Sequence, residues 1–457
     1  MEDSVSTLFA ARAQFGVTIG FHIVLAAFSI GLAQLLMLLE ALWLWRGRAI
    51  YMDVYRFWLK IFALTVAVGT ASGLIMEYQF GLNWSRLSVQ AGQVIGPLMF
   101  YEVLVAFFLE AGFLGIMVFG MKKVGKRLHF FSTVAVAAGS LASAFWILSA
   151  NSWMHTPAGY GVDAAGRFVA EDWWAIIFNP SFPYRFTHMI LAALLGTATM
   201  VAGVGAWHLL RQPDNPRAGL QYSLALWAIA LLAPLQILAG DLHGQHTLKV
   251  QPQKLAAIEG SWTRPPQGAG EPLRLFAVPD QGARRNLYEL AIPRLGSLYL
   301  THDLSGTIAA LDEFSARDIP PVAPVFFAFR VMVGLGLLML AQGLLSLVLR
   351  WRGRLLQASW LQRASVVMAP AGFLAMLSGW VVTEVGRQPF TVYGLMRTAD
   401  SLSPVSGLQV LWSTLGILAF YVLIFGAGLY VLLRIMRKPP QADESGPQPG
   451  RAGEEHS

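Results

Sequence analysis

The sequence predicts an all-α membrane protein with about nine transmembrane helices, its N-terminus outside the cell and its C-terminus in the cytoplasm. Hydrophobic residues make up 55% of the 457 residues and charged residues only 13%, whereas soluble domains carry about 25% charged residues. The apolar residues form runs of roughly 20 residues or more, which is the length that crosses a bilayer as a helix. Basic residues collect in alternate segments between these runs, as the positive-inside rule expects of cytoplasmic segments.

Each apolar run is long enough to cross a bilayer with some tilt. The predicted spans are 15–45, 57–80, 94–121, 130–150, 183–210, 219–240, 322–349, 365–385 and 408–433. The basic segments follow the first, third, seventh and last spans. Their basic residues are Arg46, Arg48, Arg56 and Lys60; Lys122, Lys123, Lys126 and Arg127; Arg350, Arg352, Arg354 and Arg363; and Arg434, Arg437 and Lys438.

The spans divide the chain into four regions. Residues 1–240 hold the first six helices, 241–321 form an extracytoplasmic loop, 322–434 hold the last three helices, and 435–457 form a cytoplasmic tail. The loop is polar and rich in proline, and connections of this length in compact proteins are usually functional or disordered. The tail is rich in Pro, Gly and acidic residues, a composition typical of disorder.

Composition excludes several classes of function. There are no cysteines, which rules out disulfides, zinc–thiolate sites, iron–sulfur clusters and thiol nucleophiles. The net charge of +7 lies in short segments between the spans and not on one soluble face, so it indicates membrane topology and no nucleic-acid partner.

A few ionisable side chains lie within the predicted spans, where each costs at least about 2.5–3.5 kcal/mol at the centre of a bilayer and therefore indicates function. They include His22, Glu77, Glu102, Glu110, Arg185, His188, Arg330 and Glu384, with Met332 close behind Arg330. The predicted topology brings almost all of them to one depth, the outer third of the bilayer. Imidazole, thioether and carboxylate groups are what a haem iron can accept from a chain without cysteine.

Other interpretations of the same residues stay open at this point. A single histidine in a span can be an interhelical hydrogen-bonding residue, and a methionine more often fills a gap in a core. The glutamates can equally line the ion path of a transporter. The remaining histidines are expected to be solvated or interfacial, because they fall at span ends or in loops: His129, His155, His208, His243, His246 and His302.

Six short segments, in order, resemble those of cytochrome bd subunit I. The most specific is the GRQP signature at residues 386–389, which comes directly after Trp380 and Glu384. The others are GLIMEYQFGLNW at 73–84, EVLVAFFLE at 102–110, WILSANSW at 146–153, KLAAIE at 254–259 and FRVMVG at 329–334. The chain is identified by these segments as similar to the haem-bearing subunit of the bd-type quinol oxidases over essentially all nine spans.

The resemblance implies three haems and a quinol site. His188 and Met332 match the axial ligands of a low-spin haem b, with Arg330 beside it. His22 and Glu384 match the ligands of two high-spin haems, and the resemblance leaves open which residue binds which haem. One high-spin haem is a haem b and the other a haem d or a third haem b. The remaining matches are the acidic pair Glu102 and Glu110, the aromatic neighbour Trp380, Arg387 of the signature, and Lys254 with Glu259 of the quinol-binding loop.

The resemblance further implies a terminal quinol oxidase of a bacterial inner membrane, which oxidises quinol at the outer face, reduces oxygen to water and contributes to the proton-motive force. Its partners are quinol, oxygen, membrane lipid, a second large subunit and, in some complexes, a small single-span subunit. The loop is short after Glu259, as in the branch that includes cyanide-insensitive oxidases, and Phe390 stands where the family usually has Trp.

Two other functions are kept as alternatives. A proton-coupled transporter or channel would use Glu77, Glu102 and Glu110 as an ion path and would bind no porphyrin. A membrane cytochrome would bind haem through His188 and Met332 and pass electrons to another acceptor without an open oxygen site.

Overall fold

The computed structural model describes residues 2–105 and 112–442, with side chains from residue 7 onward. In chain order the helices and strands are α1 (Glu2–Arg46), α2 (Ala49–Leu82), α3 (Ser85–Val105), α4 (Gly112–Phe119), α5 (Lys126–His155), β1 (Tyr160–Val162), β2 (Phe168–Ala170), α6 (Trp173–Ile177), α7 (Phe182–Arg211), α8 (Pro216–Val250), α9 (Pro252–Glu259), β3 (Leu273–Asp280), β4 (Arg285–Ile292), α10 (Leu295–Thr301), α11 (Val322–Trp351), α12 (Ser359–Met368), α13 (Ala371–Val385), β5 (Phe390–Val392), β6 (Met396–Arg397), α14 (Gly407–Phe420) and α15 (Gly426–Met436). The protein is therefore mostly helical, as predicted.

Eight helical segments within the described ranges are long and apolar enough to cross a membrane. They are α1, α2, α5, α7, α8, α11, α12 continued by α13, and α14 continued by α15, and each matches a predicted span. The third predicted span, 94–121, includes residues outside the described part, with α3 and α4 on either side. The count of nine and the orientation of the termini therefore stay predictions.

The sixth predicted span is longer in the structure than in the sequence interpretation. Helix α8 begins after Asn215, whose side chain accepts hydrogen bonds from the N–H groups of Arg217 and Ala218, and it runs to Val250 and not to residue 240. No proline interrupts 241–250, and the helix ends before Gln251, because Gln251 precedes Pro252 and the residue before a proline disfavours the helical conformation. The first ten residues of the predicted loop are thus helical.

The rest of the predicted loop is folded against α11. It contains α9, the antiparallel β3–β4 hairpin and α10. Buried apolar side chains of α9 and α10 pack with the start of α11, among them Leu255, Ile258, Leu300 and Val325. Gly260 ends α9 in the left-handed conformation with φ 63°, and a Cβ atom there would lie 3.1 Å from the Phe326 ring. Glycine at this position lets the loop approach α11 closely.

The main core lies between α1, α2, α5, α7, α8 and α13. Helices α7 and α13 cross where Gly196 faces Gly372, and a Cβ atom on Gly372 would lie 2.3 Å from the Gly196 Cα atom. Small residues at such a crossing let two membrane helices pack backbone to backbone. The crossing brings the helix that carries His188 close to the helix that carries Glu384.

A buried polar cluster joins α1 and α5 at the other end of the bundle. The Nδ1 atom of His129 lies 2.6 Å from Glu40 Oε1, and Thr133 Oγ1 donates to Glu40 Oε2 at 2.6 Å. The His129 Nε2 atom lies 3.0 Å from the Met117 carbonyl oxygen. His129 and Glu40 are 1% and 0% exposed, so His129 is not solvated, which was one of the two environments expected for it. Sequence placed it at a span end, but the neighbouring helices cover it.

Replacing Glu40 with alanine is expected to destabilise the protein by about 3–5 kcal/mol, because it leaves His129 buried without its charged partner. The expected observation is a large decrease in the thermal denaturation midpoint of the detergent-solubilised protein. Asp214→Ala, at an exposed turn, is the control and should change stability by no more than about 0.5 kcal/mol. Equal midpoints for the two variants would contradict the structural role of the pair.

Candidate functional site

The C-terminal ends of α5 and α13 meet at one carboxylate, Glu384. Its Oε1 atom accepts hydrogen bonds from Asn151 Nδ2 at 3.0 Å and from His155 Nε2 at 3.2 Å. Its Oε2 atom pairs with Arg387 Nη2, one turn further along the chain. A carboxylate has about four lone-pair positions, so three donors leave one for a further ligand. Sequence interpretation singled out Glu384 and Arg387 but not the contacts of Asn151 and His155 with Glu384.

His155 connects this carboxylate to the predicted quinol loop. Its ring is 0% exposed, so His155 is not solvated, which was one of the two environments expected for it. Lys254 Nζ at the start of α9 lies 3.2 Å from His155 Nδ1, and Gln251 Nε2 donates to the His155 carbonyl oxygen at 2.9 Å. A signal was present in the sequence, since His155 lies two residues after the WILSANSW segment, but spacing along the chain could not show which helices would cover it.

Positive charge exceeds negative charge around His155. Arg185, Lys254 and Arg387 lie close enough to act on it electrostatically, with Glu384 as the carboxylate among them. Burial, followed by the charge of Arg185, holds the pKa of Lys254 well below its usual value, and burial also lowers the pKa of Arg387. The Nε atoms of Arg185 and Arg387 and the Nη1 atom of Arg387 have no hydrogen-bond partner. Buried cations with unpaired donors favour a bound anion.

His188 and Met332 lie where two glycines leave room for them. A Cβ atom on Gly240 of α8 would lie 3.2 Å from His188 Cε1, and a Cβ atom on Gly379 of α13 would lie 3.0 Å from Met332 Sδ. Among the described residues, the Nε2 atom of His188 has one hydrogen-bond partner, the Gln236 amide nitrogen at 3.2 Å, and His188 Nδ1 and Gln236 Oε1 are buried without a hydrogen-bond partner. Unsatisfied buried polar atoms of this kind fit a bound group.

His22 is held in one orientation by α2. Ser72 Oγ donates its hydrogen to the Gly69 carbonyl at 2.7 Å, so it accepts from His22 Nδ1 at 2.9 Å. The proton of a neutral His22 therefore lies on Nδ1, and Nε2 keeps its lone pair for a ligand. A glycine faces this ring too, because a Cβ atom on Gly73 would lie 3.0 Å from His22 Cε1.

Arg330 binds the loop. It donates to the Arg274 carbonyl through Nε at 2.9 Å and Nη2 at 2.6 Å, and to the Ile258 carbonyl through Nη1 at 2.8 Å. Its guanidinium carbon lies 3.3 Å from the centre of the Phe326 ring. These contacts fasten α9 and β3 to α11, two residues before Met332.

Glu259 and Lys254 point to different partners at the two ends of α9. Glu259 is 1% exposed and accepts a hydrogen bond from the Tyr299 hydroxyl. Burial raises the pKa of the Glu259 carboxyl, with the charge of Arg330 opposing. Lys254 instead contacts His155. Helix α9 therefore touches α5 at one end and the Arg330 region of α11 at the other, and Tyr299 is a site neighbour that sequence interpretation missed.

The remaining predicted residues lie as follows. Glu102 accepts a hydrogen bond from Ser143 Oγ of α5 at 2.9 Å. Trp380 is partly buried against the main core, on α13 one turn before Glu384. Glu110 lies outside the described residues.

The described side chains that could bind a metal are spread over the bundle and do not form a site for a bare metal ion. Within the described ranges no three His, Asp or Glu side chains converge as a bare metal ion would require. Haem needs only one or two axial side chains, since the porphyrin supplies the other ligands to iron, and its propionates are anions. The fold and this site define a multi-pass helical membrane protein that carries haem-type redox centres beside a folded loop.

Comparison with known proteins agrees with this class. The chain matches the family of cytochrome bd terminal oxidase subunit I over residues 10–440. It is 34% identical to the cytochrome bd ubiquinol oxidase subunit 1 of Bacillus subtilis (strain 168), covering 96% of this chain and 95% of that protein. It is 31% identical to the cytochrome bd-II ubiquinol oxidase subunit 1 of Escherichia coli (strain K12), covering 95% and 97%. The chain belongs to the cytochrome bd terminal oxidase subunit I family.

A solved structure supports the same assignment. The fold is similar to that of the bd oxidase from Geobacillus thermodenitrificans with a TM-score of 0.87 and 26% sequence identity, covering 95% of this chain and 99% of that chain. The predicted family is therefore confirmed over the full set of spanning helices described here.

Proposed function

We propose that this subunit holds three haems at the end of the bundle where α5, α7, α11 and α13 meet, beside a quinol-binding loop. As a member of its family it is the haem-bearing subunit of a terminal quinol oxidase, a multi-pass protein of a bacterial inner membrane that works with subunit II, quinol and oxygen. The loop, 241–321 by sequence, is the proposed quinol site, and a small single-span subunit and lipid are further proposed partners.

The ligand assignments are part of this proposal. His188 and Met332 hold the low-spin haem b, and His22 and Glu384 are ligands of the high-spin haem b and of a third haem, either d or b. The observation that carries the proposal is the cluster around His155, because it joins Lys254 of the loop to Glu384 and has unpaired cationic donors suited to propionates. When bound, the His/Met haem passes electrons and a haem with an open axial position binds oxygen.

Different residues of the chain serve quinol oxidation on the outer side and proton supply from the cytoplasmic side. Lys254 and Glu259 bind quinol, and buried Glu259 is placed to accept a proton from it. Glu102 and Glu110 supply protons drawn from the cytoplasm, Trp380 neighbours the oxygen-reducing site, and Arg330 keeps the loop fastened to α11. With the N-terminus outside and nine spans, quinol protons leave on the outer side, which builds a proton-motive force without a dedicated pump.

The alternative of a proton-coupled transporter is not favoured. Family membership supports oxidase activity, and the glutamates of the described residues are accompanied by oriented imidazoles, which an ion path alone does not require.

A reduced-minus-oxidised visible spectrum of the purified complex, with pyridine extraction, tests the function. We expect both low-spin and high-spin haem signals, because the chain offers one closed ligand pair and two separate single ligands. A red-shifted chlorin band would assign haem d, and its absence haem b. A complex that contains no haem would overturn the proposed function.

A further inference from the structure

We infer that His155 is a positioning residue that couples the quinol-binding loop to Glu384, so that occupancy of the loop alters the environment of a high-spin haem. The inference rests on the proposed function, because it takes Lys254 as part of the quinol site and Glu384 as a haem ligand. It concerns the ring of His155, to which the sequence interpretation gave no role.

The direction of the hydrogen bonds follows from the partners. Glu384 is paired with Arg387 and accepts through both oxygens, so His155 Nε2 carries the hydrogen in its 3.2 Å contact with Glu384 Oε1. A neutral imidazole with its proton on Nε2 has an acceptor at Nδ1. Lys254 Nζ, 3.2 Å away, donates to that acceptor. Hydrogen bonds therefore link Lys254 of the loop to His155, and His155 to the Glu384 carboxylate.

The His155 ring does not bind the metal itself but hydrogen-bonds to Glu384, the proposed metal ligand. Hydrogen bonds from such partners fix the orientation and basicity of the ligating group, and their loss typically costs about 10–100-fold in activity or metal affinity. His155 and Asn151 both hold Oε1, while Arg387 holds Oε2. A movement of Lys254 on quinol binding changes the hydrogen bond between Lys254 and His155. This change alters the hydrogen bond from His155 to Glu384, and with it the basicity of the Glu384 lone pair that is left for the haem iron.

The loop does not depend on the ring for its attachment. Gln251 Nε2 bonds to the His155 main-chain oxygen, a contact that any substitution at 155 retains. Arg330 fastens the other end of α9 through the carbonyls of Ile258 and Arg274. Removal of the ring should therefore interrupt the coupling while the loop stays folded.

The test compares His155→Leu with His155→Gln in the complete oxidase. Glutamine offers one acceptor and one donor and can bridge Lys254 and Glu384, whereas leucine offers neither. The control is His246→Leu, since His246 lies at the same end of the bundle but bonds to Ser181 and stacks on Tyr184. The probe is oxidised quinone added to the resting enzyme, read as a shift in the high-spin haem absorption and in its midpoint potential.

We expect quinone to shift the high-spin signal in the wild type, in His155→Gln and in the control, and to leave it unshifted in His155→Leu. The KM for quinol should rise about tenfold in His155→Leu alone, while the low-spin haem spectrum stays normal. An unchanged quinone-induced shift and KM in His155→Leu, with normal haem content, would overturn the coupling.

A second variant tests the same coupling if the His155→Leu oxidase does not assemble. Lys254→Met breaks the same link from the loop side, so it should displace the high-spin signal of the resting enzyme, while the low-spin signal is kept. An undisplaced high-spin signal in Lys254→Met counts against the coupling. Absence of haem from the wild type would instead refute the proposed function, so the two failures can be told apart.

Discussion

The His188→Ala and Met332→Leu variants are each expected to lose the low-spin haem spectrum while the protein still inserts into the membrane. Alanine removes the imidazole and leucine replaces the thioether with a group that cannot bind iron, so six-coordinate ligation is lost. Insertion depends on apolar length, which neither change reduces. The measurement is the reduced-minus-oxidised spectrum of isolated membranes, normalised to the amount of protein.

A matched control is available on the same helix. Met339→Leu replaces a buried methionine of α11 that packs in the main core, and a volume-conserving swap there usually costs less than about 1.5 kcal/mol. Its spectrum should equal that of the wild type. A low-spin signal retained in full by His188→Ala or Met332→Leu would refute that ligand assignment.

Glu259→Gln is expected to lower quinol oxidation by about 100-fold or more, because glutamine keeps the size of the side chain but cannot take up a proton. Glu259 is buried, and burial raises the pKa of its carboxyl, which moves the group toward the range useful for proton transfer. Turnover with quinol would be measured beside carbon monoxide binding to the chemically reduced enzyme, which reports the oxygen site independently of the loop.

Carbon monoxide binding should be unchanged in Glu259→Gln. The control is Glu313→Gln, which removes a carboxylate of the same loop from an exposed ion pair with Arg264, an interaction that solvent screens. That variant should retain wild-type turnover. Full quinol turnover in Glu259→Gln would contradict the proposed role of the loop.

The spanning helices could be predicted from sequence because membrane insertion depends on local apolar length. Eight of the predicted spans match helices of the structure. The largest differences are at the start of α1, which begins at Glu2 and not at residue 15, and at the end of α8, which continues to Val250 and not to residue 240. The α8 error arose where hydropathy falls before the helix ends. In that segment backbone conformation is decided by the next proline and by packing, not by the bilayer.

The burial of the histidines could not be predicted in the same way. His129 and His155 stand at span ends, where side chains usually reach water. In this fold the ends of neighbouring helices and α9 cover them, and each finds a carboxylate there, Glu40 for His129 and Glu384 for His155. Their partners lie 89 and 229 positions away in sequence, a separation at which hydrophobic periodicity carries no information.

The sequence by itself determined the class of protein and the eight spanning helices found among the described residues, because these follow from apolar length, charge bias and local motifs. Only the tertiary structure decided that Lys254 and Glu259 face different partners, and that His155 joins the loop to Glu384. Such contacts depend on the rotation of each helix about its axis and on the docking of α9, which long-range packing sets.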